Sequence, residues 1–222
     1  MRLVLASASP ARRATLSAAG ITPIVRVSTV DEDALLASLP GGRALSGGTT
    51  TPADEVGALA AAKCSNVCEA LRRGDAELPA GEPVLVVGCD SMLEIGGQML
   101  GKPHTPEVAR ERIAAMRRTT ATLWTGHSAA ILAPLPSQGD ARSSHGEERR
   151  IERQVTRSAS TLVHFGDISD AEIEAYVATG EPLHVAGSFT VDGLGGPFIE
   201  GVTGDYHSVV GISMPLLRSM AT

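Results

Sequence analysis

The stretch MRLVLASASPARRATL, residues 1–16, predicts a buried strand that leads directly into a polar turn and a helix. The apolar run from Arg2 to Ala6 predicts the strand. Ser9 is suited to the N-cap position of the helix, and Pro10 to its first position. The end of this strand therefore presents hydroxyl and guanidinium groups, carried by Ser7, Ser9, Arg12 and Arg13.

A second stretch, GCDSMLEIGGQMLGKP at residues 88–103, has a similar design. The apolar run Val84–Cys89 predicts a central strand that ends on Asp90. Gly96 and Gly97 predict a hairpin that presents Lys102. Two strand ends then offer serines, arginines, a lysine and a carboxylate, which together suit a phosphorylated substrate that carries a metal ion.

N-cap signals predict three further helices, which open at Thr51, Thr105 and Ser169. The first of them carries Lys63. The second ends near Arg118 and the third at Gly180, where glycine punctuates the chain.

Runs at 21–27, 121–133 and 151–165 predict strands, and residues 214–220 predict a short terminal helix. An acidic loop is expected at 31–33, a surface loop at 38–50 and a polar hairpin tip at 134–150. Helices and strands alternate early, but the middle strands are adjacent in sequence. We therefore expect an α/β fold with a mixed central β-sheet flanked by helices.

Length, net charge and aromatic content limit the classes of function that this chain can have. The 222 residues are enough for one α/β domain or two small lobes. A net charge of −6 and an aromatic content of 3% disfavour a nucleic-acid partner, because such proteins need basic surfaces and aromatic stacking platforms. An anionic small substrate stays compatible with this charge, since a few local cations override a weak global field.

Targeting and cysteine signals are weak. No apolar run reaches the roughly 18 residues of a membrane span, and the N-terminus lacks a secretory pattern, so we expect a cytoplasmic protein without a membrane partner. Three cysteines, an odd number, favour buried thiols over a disulfide framework. The scattered histidines show no metal-ligand spacing, which disfavours a zinc site.

Position alone leaves each candidate residue with two interpretations. Asp90 either holds a metal or accepts a proton at the sheet edge, or it simply caps a turn. Lys102 either reaches a phosphate as a point charge or is a solvated lysine, since its surroundings fail the phosphate-loop pattern. The turn of Ser7, Ser9 and Arg12 either binds an anion or is an ordinary N-cap with solvated arginines.

Together, in order, the segments ASASPARR, VDED, AAAK, GCDSM, GKP and AGSFTVDGLGGPFIEGVTGDYHSVVG resemble the Maf family of nucleotide pyrophosphatases, also called septum-formation proteins. The resemblance runs from Leu3 to about Leu217. It implies one Maf-like domain over residues 1–222, with two lobes around a nucleotide-binding cleft as in inosine triphosphatase. It also implies cleavage of nucleoside triphosphates between the α and β phosphates, to monophosphate and pyrophosphate, with a divalent cation, Mg²⁺ or Mn²⁺.

The resemblance also implies roles for individual residues. The family's general base falls on Asp90, which with Glu32 would hold the metal. Its two lysines fall on Lys63 and Lys102, which would be catalytic. The family's substrate-binding turn falls on Ser7, Ser9 and Arg12.

The chain departs from the family pattern at several positions. Ala11 stands where many members have an arginine, and Val185 where many have a lysine. Ser91 replaces a threonine or glutamine, and Asp192 replaces a glutamine. These positions lie near the base-reading side of the family's pocket. The resemblance therefore implies that Ser91 and Asp192 bind substrate, and it leaves the nucleobase open.

Two classes of function remain at this point. The first is a nucleoside triphosphate pyrophosphatase that removes modified, surplus or pyrimidine nucleotides. The second is a nucleotide-binding regulator of cell division and septum formation with little turnover. The presence of Asp90, Lys63 and Lys102 favours the enzyme, because a sensor has no need of a base. The family often forms homodimers, so the resemblance implies a homodimer here as well.

Overall fold

A seven-stranded mixed β-sheet forms the centre of the protein in a computed structural model, which describes residues 1–75, 77–135 and 147–221. The strands are β1 (Arg2–Leu5), β2 (Ile24–Val25), β3 (Val84–Ile95), β4 (Gln98–Leu100), β5 (Thr120–Pro134), β6 (Arg149–Phe165) and β7 (Ile199–Thr203).

Helices cover the sheet and follow the predicted cap signals. They are α1 (Pro10–Ala18), α2 (Glu32–Ala37), α3 (Pro52–Leu71), α4 (Pro106–Met116), α5 (Asp170–Ala178), α6 (Tyr206–Val210) and α7 (Met214–Met220). The predicted N-caps are confirmed, and Thr51 and Ser169 each complete a capping box with the carboxylate three residues on. None of the helices in the described ranges has the length and apolarity that a membrane crossing requires.

The strand order is β2-β1-β3-β5-β6-β7, and β4 forms a hairpin with β3. β1 runs parallel to β2 and β3, whereas β3, β5, β6 and β7 pair antiparallel in succession. The predicted mixed sheet and the hairpin at Gly96 and Gly97 are therefore confirmed. The three cysteines are free and buried, as predicted.

The two halves of β3 belong to different hydrophobic clusters. The first half of β3, with Val86 and Val87, contributes to clusters on the two faces of the sheet, one packed against α3 and the other against α1 and α7. The second half contributes Leu93 to another cluster, around Phe165 and Phe189. Asp90 and Ser91 lie between these cores, which fits the two-lobed arrangement of the expected fold.

Several boundaries differ from the sequence-based expectation. β3 does not end at Cys89 but continues through Asp90 to Ile95, because its pairing with β5 is unbroken. The strand expected at 21–27 is limited to Ile24–Val25. The acidic loop at 31–33 is instead the start of α2, with Asp31 as the N-cap.

The glycine-rich segment near the C-terminus contains more regular structure than expected, since β7 and α6 both lie within it. The polar hairpin tip predicted at 134–150 falls largely on residues 136–146, outside the described residues.

Candidate active site

Asp90 lies inside β3 at the point where its parallel neighbour stops. The last pair between β1 and β3 joins Leu5 and Val87, and the amide of Ala6 still donates to the carbonyl of Val87. Asp90 is paired on its other side with Gly126 of β5. The end of β1 therefore opens one edge of β3 beside Asp90, at the N-terminus of α1.

Two glycines bring α3 down onto the sheet. A Cβ atom on Gly88 would lie 2.5 Å from the carbonyl oxygen of Ala60, and one on Gly126 would lie 2.1 Å from that of Val56. Real Cβ atoms do not approach backbone so closely, so only glycine permits this helix–sheet distance. Lys63, on the buried face of α3, is thereby held next to Asp90.

Lys63 contacts two carboxylates at once. Its Nζ atom lies 2.5 Å from Oδ1 of Asp90 and 2.7 Å from Oε1 of Glu32. The side chains of Lys63 and Asp90 are only 11% and 9% exposed, whereas that of Glu32 is 47% exposed. The cluster joins α2, α3 and β3 at the edge of the sheet and remains open to solvent through Glu32.

The two carboxylates have opposite pKa shifts. Burial raises the pKa of Asp90, although the charges of Lys63 and Arg12 oppose this. Burial also acts to raise the pKa of Glu32, but its hydrogen bond to Lys63 and the charges of Lys63, Lys102 and Arg12 outweigh it and lower the pKa. Such a separation is typical of acid–base sites, and it makes Asp90 the stronger base of the two.

Arg12 is held by four neutral acceptors. Its Nε atom donates to the carbonyl of Gly211 at 2.8 Å, and Nη1 donates to Ser7 Oγ and to the carbonyl of Cys89, each at 3.0 Å. Nη2 donates to Ser91 Oγ at 3.1 Å. These bonds use four of the five guanidinium N–H groups. Among the described residues, one Nη2 N–H is left for an incoming anion.

The serines of the turn act on Arg12 and its helix. Ser9 Oγ accepts from the amide of Arg12 at 3.3 Å, as an N-cap does. Ser7 Oγ accepts both from the amide of Ser9 and from Arg12. The predicted turn is thus assembled, with Ser7 and Ser9 positioning the guanidinium beside the first turn of α1.

A hydrogen-bond chain with a fixed direction supports Arg12 from the sheet. Thr125 Oγ1 donates its single proton to the carbonyl of Ser208 at 2.9 Å. The 2.9 Å contact between Ser91 Oγ and Thr125 Oγ1 is therefore donated by Ser91. Ser91 consequently faces Arg12 with a lone pair, and accepts from Nη2. The hydrogen bond to Thr125 thus fixes Ser91 in the orientation that positions the guanidinium.

Lys102 and Asp192 lie at the periphery. Lys102 is exposed just after β4, near enough for its charge to lower the pKa of Glu32. Asp192 is exposed on a loop whose Thr190, Leu194 and Gly195 all donate to the carboxylate of Glu181. Within the described residues no hydrogen bond or ion pair joins Asp192 to the Asp90 cluster.

The donor set is consistent with a metal that arrives with its substrate. In the described part of the chain, no three His, Cys, Asp or Glu residues form a group that could hold a metal ion. Asp90 and Glu32 converge on one cationic nitrogen, that of Lys63. Mg²⁺ is commonly bound by one or two carboxylates together with substrate phosphates rather than by an all-protein cage. These two oxygen donors fit that mode.

Comparison with known proteins adds to this geometry. The family model described as Maf-like protein matches residues 2–222. This chain belongs to the Maf family. A nucleoside triphosphate pyrophosphatase of Nocardia farcinica is 48% identical over 219 residues, which cover 98% of the chain and 90% of the relative.

Other Maf relatives carry the same name. The nucleoside triphosphate pyrophosphatase of Rhodococcus jostii is 47% identical over 217 residues, covering 98% of this chain and 89% of its own length. That of Saccharopolyspora erythraea is 46% identical over 221 residues, covering 99% and 92%. The similarity therefore extends over nearly the whole chain, the span in which the Arg12 turn and the Asp90 cluster lie.

Some residues of this Maf site had no signal in the sequence. The carbonyl of Gly211 holds Arg12 from 199 positions away in the chain, and Thr125 holds Ser91 from 34 positions away. His127 is also buried, and its Nε2 accepts from the amide of Ser213 at 2.8 Å, which fixes the segment that carries Gly211. The only available pointer was the glycine-rich stretch before Ser213, whose spacing matched the family.

Proposed function

We propose that this protein hydrolyses nucleoside triphosphates to nucleoside monophosphate and pyrophosphate, with Asp90 as the general base. The observation that carries the proposal is the convergence of Asp90, Lys63, Glu32 and Arg12 at one open sheet edge. Membership of the Maf family and the name of its relatives support the coarse activity, hydrolysis of nucleoside triphosphates.

The reaction assigns a task to each charged group. Asp90 takes a proton from a water molecule, whose oxygen bonds to the α-phosphorus while the bond from that phosphorus to the bridging oxygen breaks. The electron pair leaves with pyrophosphate. Arg12, Lys63 and Lys102 offset the charge of the polyphosphate and stabilise the charge that develops on the leaving group.

A divalent cation, Mg²⁺ or Mn²⁺, belongs to the proposal as a cofactor. Asp90 and Glu32 would hold it, and when bound it would neutralise phosphate charge. The low pKa of Glu32 keeps this carboxylate ionised near neutral pH. A cytoplasmic nucleotide pool as the source of substrate, and a homodimer as the working unit, remain predictions of the same proposal.

The raised pKa of Asp90 favours the enzyme over a regulator of septum formation. Burial raises the pKa of Asp90 against the charges of Lys63 and Arg12, and a shifted carboxylate at an open sheet edge is a candidate general base, whereas a nucleotide sensor needs only the cations. The substrate-binding roles of Ser91 and Asp192, and the choice of nucleobase, stay predictions. Asp192 has to reach the base from its exposed loop, whereas Ser91 contributes through Arg12.

The test is a turnover assay with Asp90→Asn. Purified protein with Mg²⁺ or Mn²⁺ is given a panel of normal and modified nucleoside triphosphates, and pyrophosphate and monophosphate are measured. We expect the variant to lose at least ~100-fold in turnover, the usual scale for one positioned acid–base group. Asp33→Asn, which removes an exposed carboxylate from the first turn of α2, is the matched control.

The outcomes separate the two classes of function. Folded Asp90→Asn protein with near-normal turnover would remove Asp90 from the mechanism. Nucleotide binding by the parent protein without release of pyrophosphate from any substrate would favour the regulator.

A further inference from the structure

The ammonium group of Lys63 stands between two carboxylates that come from different elements. Asp90 belongs to β3 and Glu32 to α2, and the Lys63 Nζ atom is within 2.7 Å of an oxygen of each. No other cationic side chain among the described residues forms an ion pair with either carboxylate. A single nitrogen thus bridges the two oxygen donors that we assign to a metal.

We infer that Lys63 is a resident cation, which occupies the carboxylate pair in the free protein and yields it only when metal arrives together with a polyphosphate. The protein would then bind divalent cation poorly on its own. This inference rests on the proposed function, because it concerns the same two carboxylates, and it assigns Lys63 a second task besides the stabilisation of phosphate charge.

Charge compensation is the first reason. Two carboxylates that share a partly buried site repel each other, and an opposite charge between them favours the ionised form of both. A lysine ammonium supplies this with one charge, and a divalent cation would supply it with two. The two cations therefore compete for the same oxygens, and bound Lys63 lowers the affinity for metal alone.

The mobility of the lysine side chain is the second reason. An ammonium is a compact point charge on a flexible four-carbon stem, whereas a guanidinium is a rigid fork. Lys63 can leave the carboxylates and turn to a phosphate without any movement of α3. When metal and polyphosphate arrive together, the carboxylates gain the metal and Lys63 gains the phosphate, so no charge is left unpaired.

The exposure of Glu32 provides the entry path. Its side chain is 47% exposed, while Asp90 beneath it is 9% exposed. A hydrated cation would therefore meet Glu32 first. A purely structural ion pair would also hold α2 against α3, but its loss would create no new affinity for metal. The sign of the change in metal affinity separates the two interpretations.

The experiment measures binding of Mn²⁺ alone, without nucleotide, from the electron paramagnetic resonance signal of free Mn²⁺ at pH 8. The proteins compared are the parent, Lys63→Met, Lys63→Gln and Lys63→Arg, each checked for folding by circular dichroism. We expect both neutral variants to bind Mn²⁺ at least ~10-fold more tightly than the parent, given the interaction of unit charges about 4 Å apart near a protein surface. Lys63→Arg keeps the charge and should bind like the parent.

A double variant shows where the new affinity lies. Lys63→Met combined with Glu32→Gln should lose the gain, because only one of the two carboxylates remains. One folded neutral variant is sufficient for the decision. Unchanged Mn²⁺ affinity in a folded neutral variant, or parent protein that binds Mn²⁺ alone as tightly as Lys63→Met, overturns the inference.

Pyrophosphate release by the parent is measured separately and tests the proposed function. A gain in Mn²⁺ affinity without any pyrophosphate release would support the lysine inference and reject the hydrolase. Pyrophosphate release with no gain in the neutral variants would do the reverse.

Discussion

Arg12 and Lys63 are two cations in one site, and they are held by opposite kinds of partner. Arg12 is fixed by four neutral oxygens, of which one comes from the turn after β1, two from β3 and one from the residue that follows α6. Lys63 is fixed by two carboxylates. Neutral acceptors orient a charge without cancelling it, whereas carboxylates do both. The positive charge of Arg12 is therefore always available to an anion. The charge of Lys63 becomes available only after another cation has bound Asp90 and Glu32 in its place.

Removal of Arg12 should have the largest effect on the reaction. We expect Arg12→Ala to lower kcat/KM by about 100- to 1000-fold, the scale for loss of one preorganised donor at developing charge. Arg12→Lys should recover little, because a single ammonium cannot reach the four acceptors that orient the guanidinium.

Arg13 provides the matched control for this prediction. It carries the same charge on the next residue of α1 but is exposed. Arg13→Ala should leave kcat/KM nearly unchanged when pyrophosphate release is measured. Equal losses in the Arg12 and Arg13 variants would show that only the total positive charge matters. The four acceptors that hold Arg12 would then have no role in turnover.

A smaller effect is expected from Thr125, which is fully buried and touches Arg12 only through Ser91. Thr125→Val keeps the shape but removes the hydroxyl, so Ser91 loses the acceptor that fixes its proton away from the guanidinium and its orientation towards Arg12 is no longer set. We expect kcat/KM to fall about 10-fold, since one net hydrogen bond is worth roughly 1 kcal/mol and a buried unpaired group costs more.

Rescue distinguishes positioning from packing at this residue. Thr125→Ser restores the hydroxyl and removes only a methyl group, so it should recover most of the activity. Steady-state kinetics and urea unfolding of both variants provide the measurement. If Thr125→Ser were as impaired as Thr125→Val in turnover, the hydrogen-bond chain would not be the cause.

The last expected effect concerns stability in mild acid and leaves turnover at neutral pH unchanged. Burial lowers the pKa of His127 to about 4, and the charge of Arg12 contributes. The neutral ring accepts from the amide of Ser213. The unfolded state binds a proton near pH 6.5, whereas the folded state does so only near pH 4. Stability is therefore lost as the pH falls from 6.5 towards 4, by of order 3 kcal/mol for a shift of this size.

A variant without this titration tests the effect. His127→Gln places an amide oxygen where it can accept from Ser213 and removes the proton-binding ring. The free energy of unfolding in urea, measured at pH 7 and pH 5, should fall less in the variant than in the parent. The same pH dependence in both proteins would assign the acid sensitivity to other groups.

Local signals predicted much of this fold. Ser9, Thr51, Thr105 and Ser169 each mark a helix start, because a capping side chain bonds to an amide within three residues. The glycines at 96 and 97 mark a hairpin for the same kind of local reason. Such contacts need no knowledge of the rest of the chain.

The candidate site was only partly predictable. Asp90 was expected at a strand end, but pairing with β5 extends the strand beyond it, and that pairing is set by residues 28 to 34 positions away. Glu32 was expected in a loop, although Asp31 is the N-cap of α2 and the acidic residues of its first turn favour a helix start. The partners of Arg12 include carbonyl groups of Cys89 and Gly211, and a backbone carbonyl leaves no trace in side-chain patterns.

The close seating of α3 has a consequence for variation in this protein. Gly88 and Gly126 carry no functional group of their own, yet an added methyl group at Gly126 would overlap the backbone of Val56, which no side-chain rotation relieves. Accommodating that methyl group requires the helix to rise, and Lys63 would rise with it. The tolerance of these two positions to substitution is then governed by the chemistry at Asp90, although by location they belong to the packing interior. Small substitutions at this helix–sheet contact would therefore change the rate of the reaction by displacing Lys63.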